Sequence, residues 1–285
     1  MSSTVEIASR IEHLGKALPD EDMPFWSTDT ELVKQARFDW SQQDLSFDWI
    51  VEALIQKDLY AMTHGGEYII EENTPISNQG RLGSCVANAV MDALEMVMPV
   101  PVQLSRLFAY WVSQALHGDT RKDSGTYNRA CFHQAMVIGL VPEEHYPYID
   151  TLEAATKNPE LDLFTMASNN KLKQVYRIVK TGSDLVDQIE IAIRTNHPVV
   201  FAMDVNKEFT RYRGGGHVWN DMPNTIGGHA MVLTGVRRNT DKREFLDRNS
   251  WGVGWGDEGH CWMTEELIRE QARDIWVGTQ LEELI

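Results

Sequence analysis

Apolar residues recur at helical spacing through the first half of the chain and give way to alternating, strand-like runs in the second. Three helical segments are predicted within the first 65 residues. "STVEIASRIEHLG" begins with a Ser3–Glu6 capping box, lines up Ile7, Ile11 and Leu14, and stops at Gly15. "TDTELVKQARF" carries a second box, Thr28–Glu31, and "SFDWIVEALIQKDLY" repeats apolar residues at Phe47, Ile50, Val51, Leu54 and Ile55. "THGG" at 63–66 breaks the pattern. A helix is then predicted from Cys85, with Val86, Ala89, Val90, Ala93, Leu94 and Val97 on its apolar face, followed by helices over Leu104–Leu116 and Tyr127–Gly139. Beyond residue 171 come "KQVYRIV", "PVVFAMDV", "HAMVLTGV", "EFLDRN" and "GHCWMT", which read as strands. A helical half followed by a mainly antiparallel half predicts an α+β fold.

Composition narrows the partners. The net charge of −16, with no cluster of Lys and Arg, excludes a nucleic-acid surface. No apolar run reaches the roughly 20 residues of a membrane span, and the acidic N-terminus is no secretory signal. Three cysteines, Cys85, Cys131 and Cys261, form an odd and sparse set. They predict a reducing compartment, the cytoplasm, and no disulfide framework.

Cys85 is the residue with chemical promise. In "NQGRLGSCVANAV" it sits at the mouth of its helix, where unpaired N–H groups and the helix dipole favour a thiolate. A thiolate enzyme also needs a base. Of nine histidines, His229 in "GGHAMVLTGV" stands out, because two glycines give backbone room beside its imidazole. Asn249 follows in "RNSWGVGWGDEGH", and its amide oxygen can fix the imidazole tautomer. Asp247, two residues earlier, would share a strand face with Asn249 and is a second candidate for that task. His260 beside Cys261, and Cys131 near His133, are each half of a metal site without further paired ligands, so no metal is expected.

Together and in this order, "NQGRLGSC", "GGHAMVLTGV" and "NSWGVGWGDEGH" resemble the papain-like cysteine peptidases, over about residues 66–285. The similarity is greatest to the intracellular, disulfide-free branch seen in microbes and their viruses, which "DSGTYNRACFHQAMVIGLVPEEHYPY" and "DIWVGTQL" also fit. The resemblance implies a two-lobed fold, a helical lobe and an antiparallel, barrel-like lobe with the active site between them. It implies that Cys85 is the nucleophile, His229 the general base and then acid, Asn249 the group that orients His229, and Gln79 an oxyanion donor beside the Cys85 N–H. Trp251 would shield the His–Asn hydrogen bond. Gly125 would lie at the rim where a substrate backbone docks, and Gly228 and Ala230 would flank a specificity pocket. No cofactor is implied. The partner is a protein or peptide substrate, and the setting a cytoplasm, that of the host for a viral protein.

The sequence departs from the family at two places. Leu82 stands where many secreted members have a disulfide cysteine, and Val86 where an aromatic usually follows the nucleophile. Residues 1–65 form an acidic helical extension and a candidate pro-segment, without the interleaved Glu-Arg-Phe-Asn pattern of the common one. Its apolar face, Trp49, Ile50, Leu54 and Leu59, is expected to pack on the peptidase domain. Two other functions stay open at this point: a different acyl transfer (deamidation, transglutamination or ligation) by the same triad, and a dead cleft that only binds peptides. Retention of Gln79, Cys85, His229 and Asn249 speaks against the second.

Overall fold

The computed structural model of the protein describes residues 44–48, 51, 55, 66–117, 120–239 and 242–278. The helices expected over 3–15 and 28–38, and the face built from Trp49, Ile50, Leu54 and Leu59, lie outside the described residues. After a two-residue strand β1 (Tyr68–Ile69), the chain builds a helical lobe from α1 (Cys85–Met96), α2 (Arg106–His117), α3 (Asn128–Val137), α4 (Leu152–Thr156) and α5 (Leu161–Ala167). The second lobe contains β2 (Val175–Ile178), α6 (Gly182–Arg194), β3 (Val199–Val205), α7 (Lys207–Thr210), β4 (Val218–Trp219), β5 (Gly227–Asn239) and β6 (Lys242–Arg248). It closes with β7 (His260–Thr264), α8 (Glu265–Gln271) and β8 (Arg273–Gly278).

The expected helices and strands are found close to their predicted bounds. α3 stops before Gly139, whose φ of +111° and whose place against the Ala167 carbonyl leave no room for a Cβ. Helix α6 was not anticipated, yet Leu185, Val186, Ile189, Ala192 and Ile193 give it one buried face. The strands form a single sheet in the order β2-β8-β3-β5-β6-β7-β4, with β1 beside β5. All pairs are antiparallel except β4 with β7. The path ends at β2 and β4, so the α+β, two-lobed expectation holds but the sheet is not closed into a barrel.

Strand alternation divides the core. Val199, Phe201 and Met203 of β3 point into the sheet lobe with Phe245, Met263 and Ile189. Val200 turns to the opposite face with Ala230, Val232 and Trp276, and there α1 packs through Val90 and Leu94. The helix bearing Cys85 is thus pressed onto the strand bearing His229, and residues 86–96 are all buried.

That burial includes charges. Asp92 and Glu95 of α1 are at most 1% exposed and face the guanidinium of Arg106, which lies 3.0 Å from Glu95 Oε1. Arg248, at the end of β6, sits with Nε 3.5 Å from Asp92 Oδ2, donates to the Pro75 carbonyl at 2.8 Å and pairs with Glu72. His260 Nε2 meets Glu72 Oε1 at 2.9 Å. Burial raises the Glu72 pKa, but His260 and Arg248 outweigh it and hold the carboxyl below its usual 4.5. Burial likewise opposes the Arg248 charge, and Asp92 and Glu72 reverse it.

The N-terminal extension touches the sheet lobe through residues 44–48. The Leu45 carbonyl accepts from Arg177 N–H at 2.8 Å and Phe47 N–H donates to the Arg177 carbonyl at 2.9 Å, a parallel bridge on β2. Phe47 is fully buried in the core. Asp44 pairs with Arg129 at 2.8 Å and Arg177 at 3.3 Å, and Asp48 with Lys180 at 3.1 Å.

Removing a buried cation leaves its carboxylates uncompensated, at a cost of about 3–5 kcal/mol. Arg248→Met should therefore lower stability by about that amount in urea unfolding at pH 7. Because the folded-state pKa of Glu72 is depressed, its contribution is present above 4.5 and is lost as pH falls through the folded value. The difference between wild type and variant should narrow as pH is taken below 4.5.

Candidate active site

A cleft of about 440 Å³ opens between the lobes, in the size range of small-ligand and peptide subsites. Cys85, His229, Gln79 and Trp251 line it, with Gly125 and Gly228 at its sides. Each comes from a different local device. Cys85 is the first residue of α1, and the N-cap Ser84 does not cap the helix with its side chain. Its hydroxyl is instead 2.5 Å from that of Tyr148, so the first-turn N–H groups stay available at the cleft. Backbone N–H groups of Ala230, Val86 and Cys85 itself face the sulfur, yet burial dominates and pushes the thiol above its usual 9.0.

His229 is 5% exposed on β5. Its Nε2 is 2.8 Å from Asn249 Oδ1. The same oxygen accepts from Ser250 N–H at 2.7 Å, which fixes the amide's orientation because an N–H can only donate. An oxygen on Nε2 makes that nitrogen the protonated one and leaves Nδ1 with its lone pair. Burial pulls the imidazole pKa down from 6.5 to about 4, and the Asn249 contact only partly offsets it. Trp251 stacks on the ring at a centroid distance of 4.3 Å and 18° between planes. Trp255 and Phe209 brace Trp251 edge-on.

Gln79 is tied to the loop after β6. Its N–H donates to the Ser250 carbonyl at 2.9 Å and its Oε1 accepts from the Ser250 hydroxyl at 2.8 Å. Its Nε2 donates one hydrogen to the Leu82 carbonyl at 2.9 Å, and an amide nitrogen has a second.

Several expectations change in detail. Asp247 stands opposite Leu233 on β5 and Cys261 on β7, four residues along β5 from His229, whereas Asn249, just past the end of β6 at Arg248, reaches the imidazole. Asp247 Oδ2 is 3.9 Å from the Cys261 sulfur, and burial raises its pKa well above 3.8. Ala230 is not part of the cleft lining; its side chain is buried against the helical lobe and its N–H faces the Cys85 sulfur. A Cβ on Gly228 would make only ordinary contact, 3.5 Å from Arg273 and Asp204, and one on Gly227 would meet nothing within 4 Å, so neither glycine is demanded by crowding. The exposed Ile226, together with Val205, Thr126 and Gly83, adds to the lining. Sequence reading missed these, although Ile226 is a lone apolar residue directly before the glycines of His229. All three cysteines are free. Among the described residues no group of three or more His, Cys, Asp or Glu is placed to hold a metal, and no helix is long and apolar enough to cross a membrane.

The contacts of Asn249 and Asp247 separate their roles. Asn249→Ala should lower kcat/KM on a peptide by roughly 10-fold or more, since it frees the ring that must carry the proton. Asp247→Asn should stay within about twofold at pH 7. Steady-state kinetics in the reverse order would transfer the orienting role to Asp247.

Comparison with known proteins agrees with this geometry. Residues 69–273 match the papain family of cysteine proteases. A peptidase C1-like protein of Acanthamoeba polyphaga mimivirus is 29% identical over 220 residues, 70% of this chain and 68% of the relative. Zingipain-1 of Zingiber officinale is 27% identical over 203 residues, covering 70% of this chain and 86% of that protein. The crystal structure of xylellain, a cysteine protease from Xylella fastidiosa, superposes with a TM-score of 0.70 at 25% identity, over 84% of this chain and 92% of xylellain. The matched span takes in the cleft and every residue placed around it, and the chain belongs to the papain family of cysteine proteases as a hydrolytic cysteine peptidase.

Proposed function

We propose that the peptidase works through a Cys85–His229–Asn249 triad with Gln79 as an oxyanion donor. The observation that carries this reading is the 2.8 Å contact of His229 Nε2 with Asn249 Oδ1, which leaves the lone pair of Nδ1 as the ring's basic site in a cleft shared with Cys85. Burial keeps each of the two groups uncharged when considered alone. Moving the thiol proton to the imidazole creates opposite charges together, and their attraction in a low-dielectric wall offsets the desolvation. The pair titrates as a unit.

The thiolate sulfur then attacks the amide carbonyl carbon, and the oxyanion takes hydrogen bonds from the second Gln79 Nε2 hydrogen and the Cys85 N–H. Collapse of this adduct breaks the C–N bond as His229 gives its proton to the leaving amine. Water next attacks the thioester while His229 takes the water's proton, and the acid and the thiolate are released. The three unpaired cysteines support work in a reducing, cytoplasmic setting.

Cys85→Ala and His229→Ala should each abolish peptide turnover in folded protein. Gln79→Ala should lower it by roughly 100- to 1,000-fold. His229→Ala should also move the midpoint for iodoacetamide alkylation of Cys85 upward past 9.0, the usual thiol value, because the remaining influence of burial is upward. An unchanged midpoint would show that His229 does not share the proton.

We further assign residues 1–65 to an extension that restricts the cleft, and 66–285 to the peptidase domain. Support comes from where the extension is held: Asp44 pairs with Arg129 in the first turn of α3, just after the cleft-lining Gly125 and Thr126. Deleting residues 1–43, which keeps Phe47 in the core, should raise peptide turnover, and adding that segment in trans should lower it. Unchanged kinetics would make the segment structural.

A further inference from the structure

Two glycines lie side by side in the cleft lining near Cys85. Gly83 lies two residues before Cys85, Gly125 lies next to it, and both line the cleft. A Cβ on Gly125 would stand 3.8 Å from the Gly83 carbonyl oxygen, so the two backbones come close. Gly125 has a φ of +77°, a conformation that a side chain would strain. The two backbones are linked by one continuous hydrogen-bonded chain. Gly83 N–H donates to both carboxylate oxygens of Asp123, each at 2.9 Å. The Tyr110 hydroxyl donates to Asp123 Oδ1, and the same phenolic oxygen accepts from Gly125 N–H at 3.0 Å.

The chain has a fixed post. Tyr110 is fully buried in α2, within the core cluster that holds α1, so its hydroxyl cannot drift relative to the nucleophile helix. Burial, and then the carboxylate beside it, push that phenol above its usual 10.0, so it remains a donor through neutral pH. The donors converge on Asp123: the Gly83 N–H and the Tyr110 hydroxyl both donate to it, and the Gly125 N–H donates to that hydroxyl. Asp123 occupies the Gly83 N–H and so fixes the Leu82–Gly83 peptide unit, whose Leu82 carbonyl accepts from Gln79 Nε2 at 2.9 Å.

We propose that the Tyr110–Asp123 brace sets the orientation of the neighbouring Gly83 and Gly125 backbones, making Asp123 a positioning residue for the backbone of the peptide substrate. This rests on the peptidase reading of the cleft. The brace acts by geometry rather than by activating the thiol, because the negative charge of Asp123 opposes thiolate formation at Cys85. All three cysteines are free, so no disulfide restrains the loop before Cys85. The carboxylate supplies a polar restraint.

The test separates substrate positioning from general damage. On the full chain, kcat and KM for a peptide substrate are measured alongside the rate of Cys85 alkylation by iodoacetamide, which is too small to use the two backbones. Asp123→Ala should raise KM and lower kcat/KM by about 10-fold or more, since misplacing a substrate by an ångström costs up to about 100-fold. Alkylation should remain within about twofold. Asp123→Asn keeps one acceptor for Gly83 and should fall between wild type and Asp123→Ala. Tyr110→Phe keeps the ring in the core and removes the link to Gly125; it should shift KM in the same direction, and it carries the test should Asp123→Ala fail to fold. Unchanged kcat/KM in Asp123→Ala and Tyr110→Phe, or equal losses of turnover and alkylation, would overturn the brace. Wild-type protein that neither cleaves peptides nor labels at Cys85 would overturn the peptidase reading and the brace with it.

Discussion

A cation without access to water holds the two lobes in register. Arg248 ends the strand that leads into Asn249, and its guanidinium is held between Asp92 of α1 and Glu72 of the segment that precedes that helix. Arg106 also meets Asp92 and His260 also meets Glu72, but among the described residues only Arg248 touches both carboxylates, and its own burial depends on them. Dispersion and hydrophobic contact press α1 onto β5 but are tolerant of small sliding. Charges removed from water are not, because each ångström of separation leaves them poorly solvated and poorly paired. The network therefore works as a register pin between the element that carries the sulfur and the strand that leads to the amide behind the imidazole.

That register decides the chemistry nearby. His229 and Cys85 both sit where burial disfavours charge, so neither is a strong acid or base in isolation. In the proposed mechanism reactivity is therefore a joint property of two side chains that line the same cleft. Ser250 contributes twice, orienting the Asn249 amide with its N–H and the Gln79 amide with its hydroxyl. The residue between Asn249 and the stacked Trp251 thus sets the direction of both amides in the site.

Much of this was legible in the sequence, and the misses have physical causes. The apolar face of α1 and the helix-mouth position of Cys85 could be read from spacing alone. Asp92 and Glu95 could not be read as buried, because helical periodicity assigns such residues to solvent unless a cation from elsewhere meets them. The period-2 rule places Asp247 and Asn249 on one face but does not state how far along the neighbouring strand each one reaches, and only Asn249 comes to His229. Helix α6 follows a clear pattern and was lost among the surrounding strand runs. Tyr148 and Tyr110 lie far from the site in sequence, and their hydroxyl contacts depend on tertiary packing that no local pattern encodes. The barrel-like expectation came from resemblance. Whether a sheet closes depends on the pairing of its terminal strands, which spacing along the chain does not state.

The docking of residues 45–47 on β2 has a consequence for solubility. β2 ends the sheet path, and an uncovered terminal strand offers unpaired N–H and C=O groups to any other chain. Here the chain caps that strand with its own backbone, seals the join with the buried Phe47 and flanks it with the charges of Asp44 and Asp48. The extension thereby serves the sheet as an edge guard. Any trimming that spares residue 44 onward keeps the guard covalently attached, whereas a break between Asp48 and Gly66 would leave it held by contacts alone and turn β2 into a template for strand-by-strand aggregation.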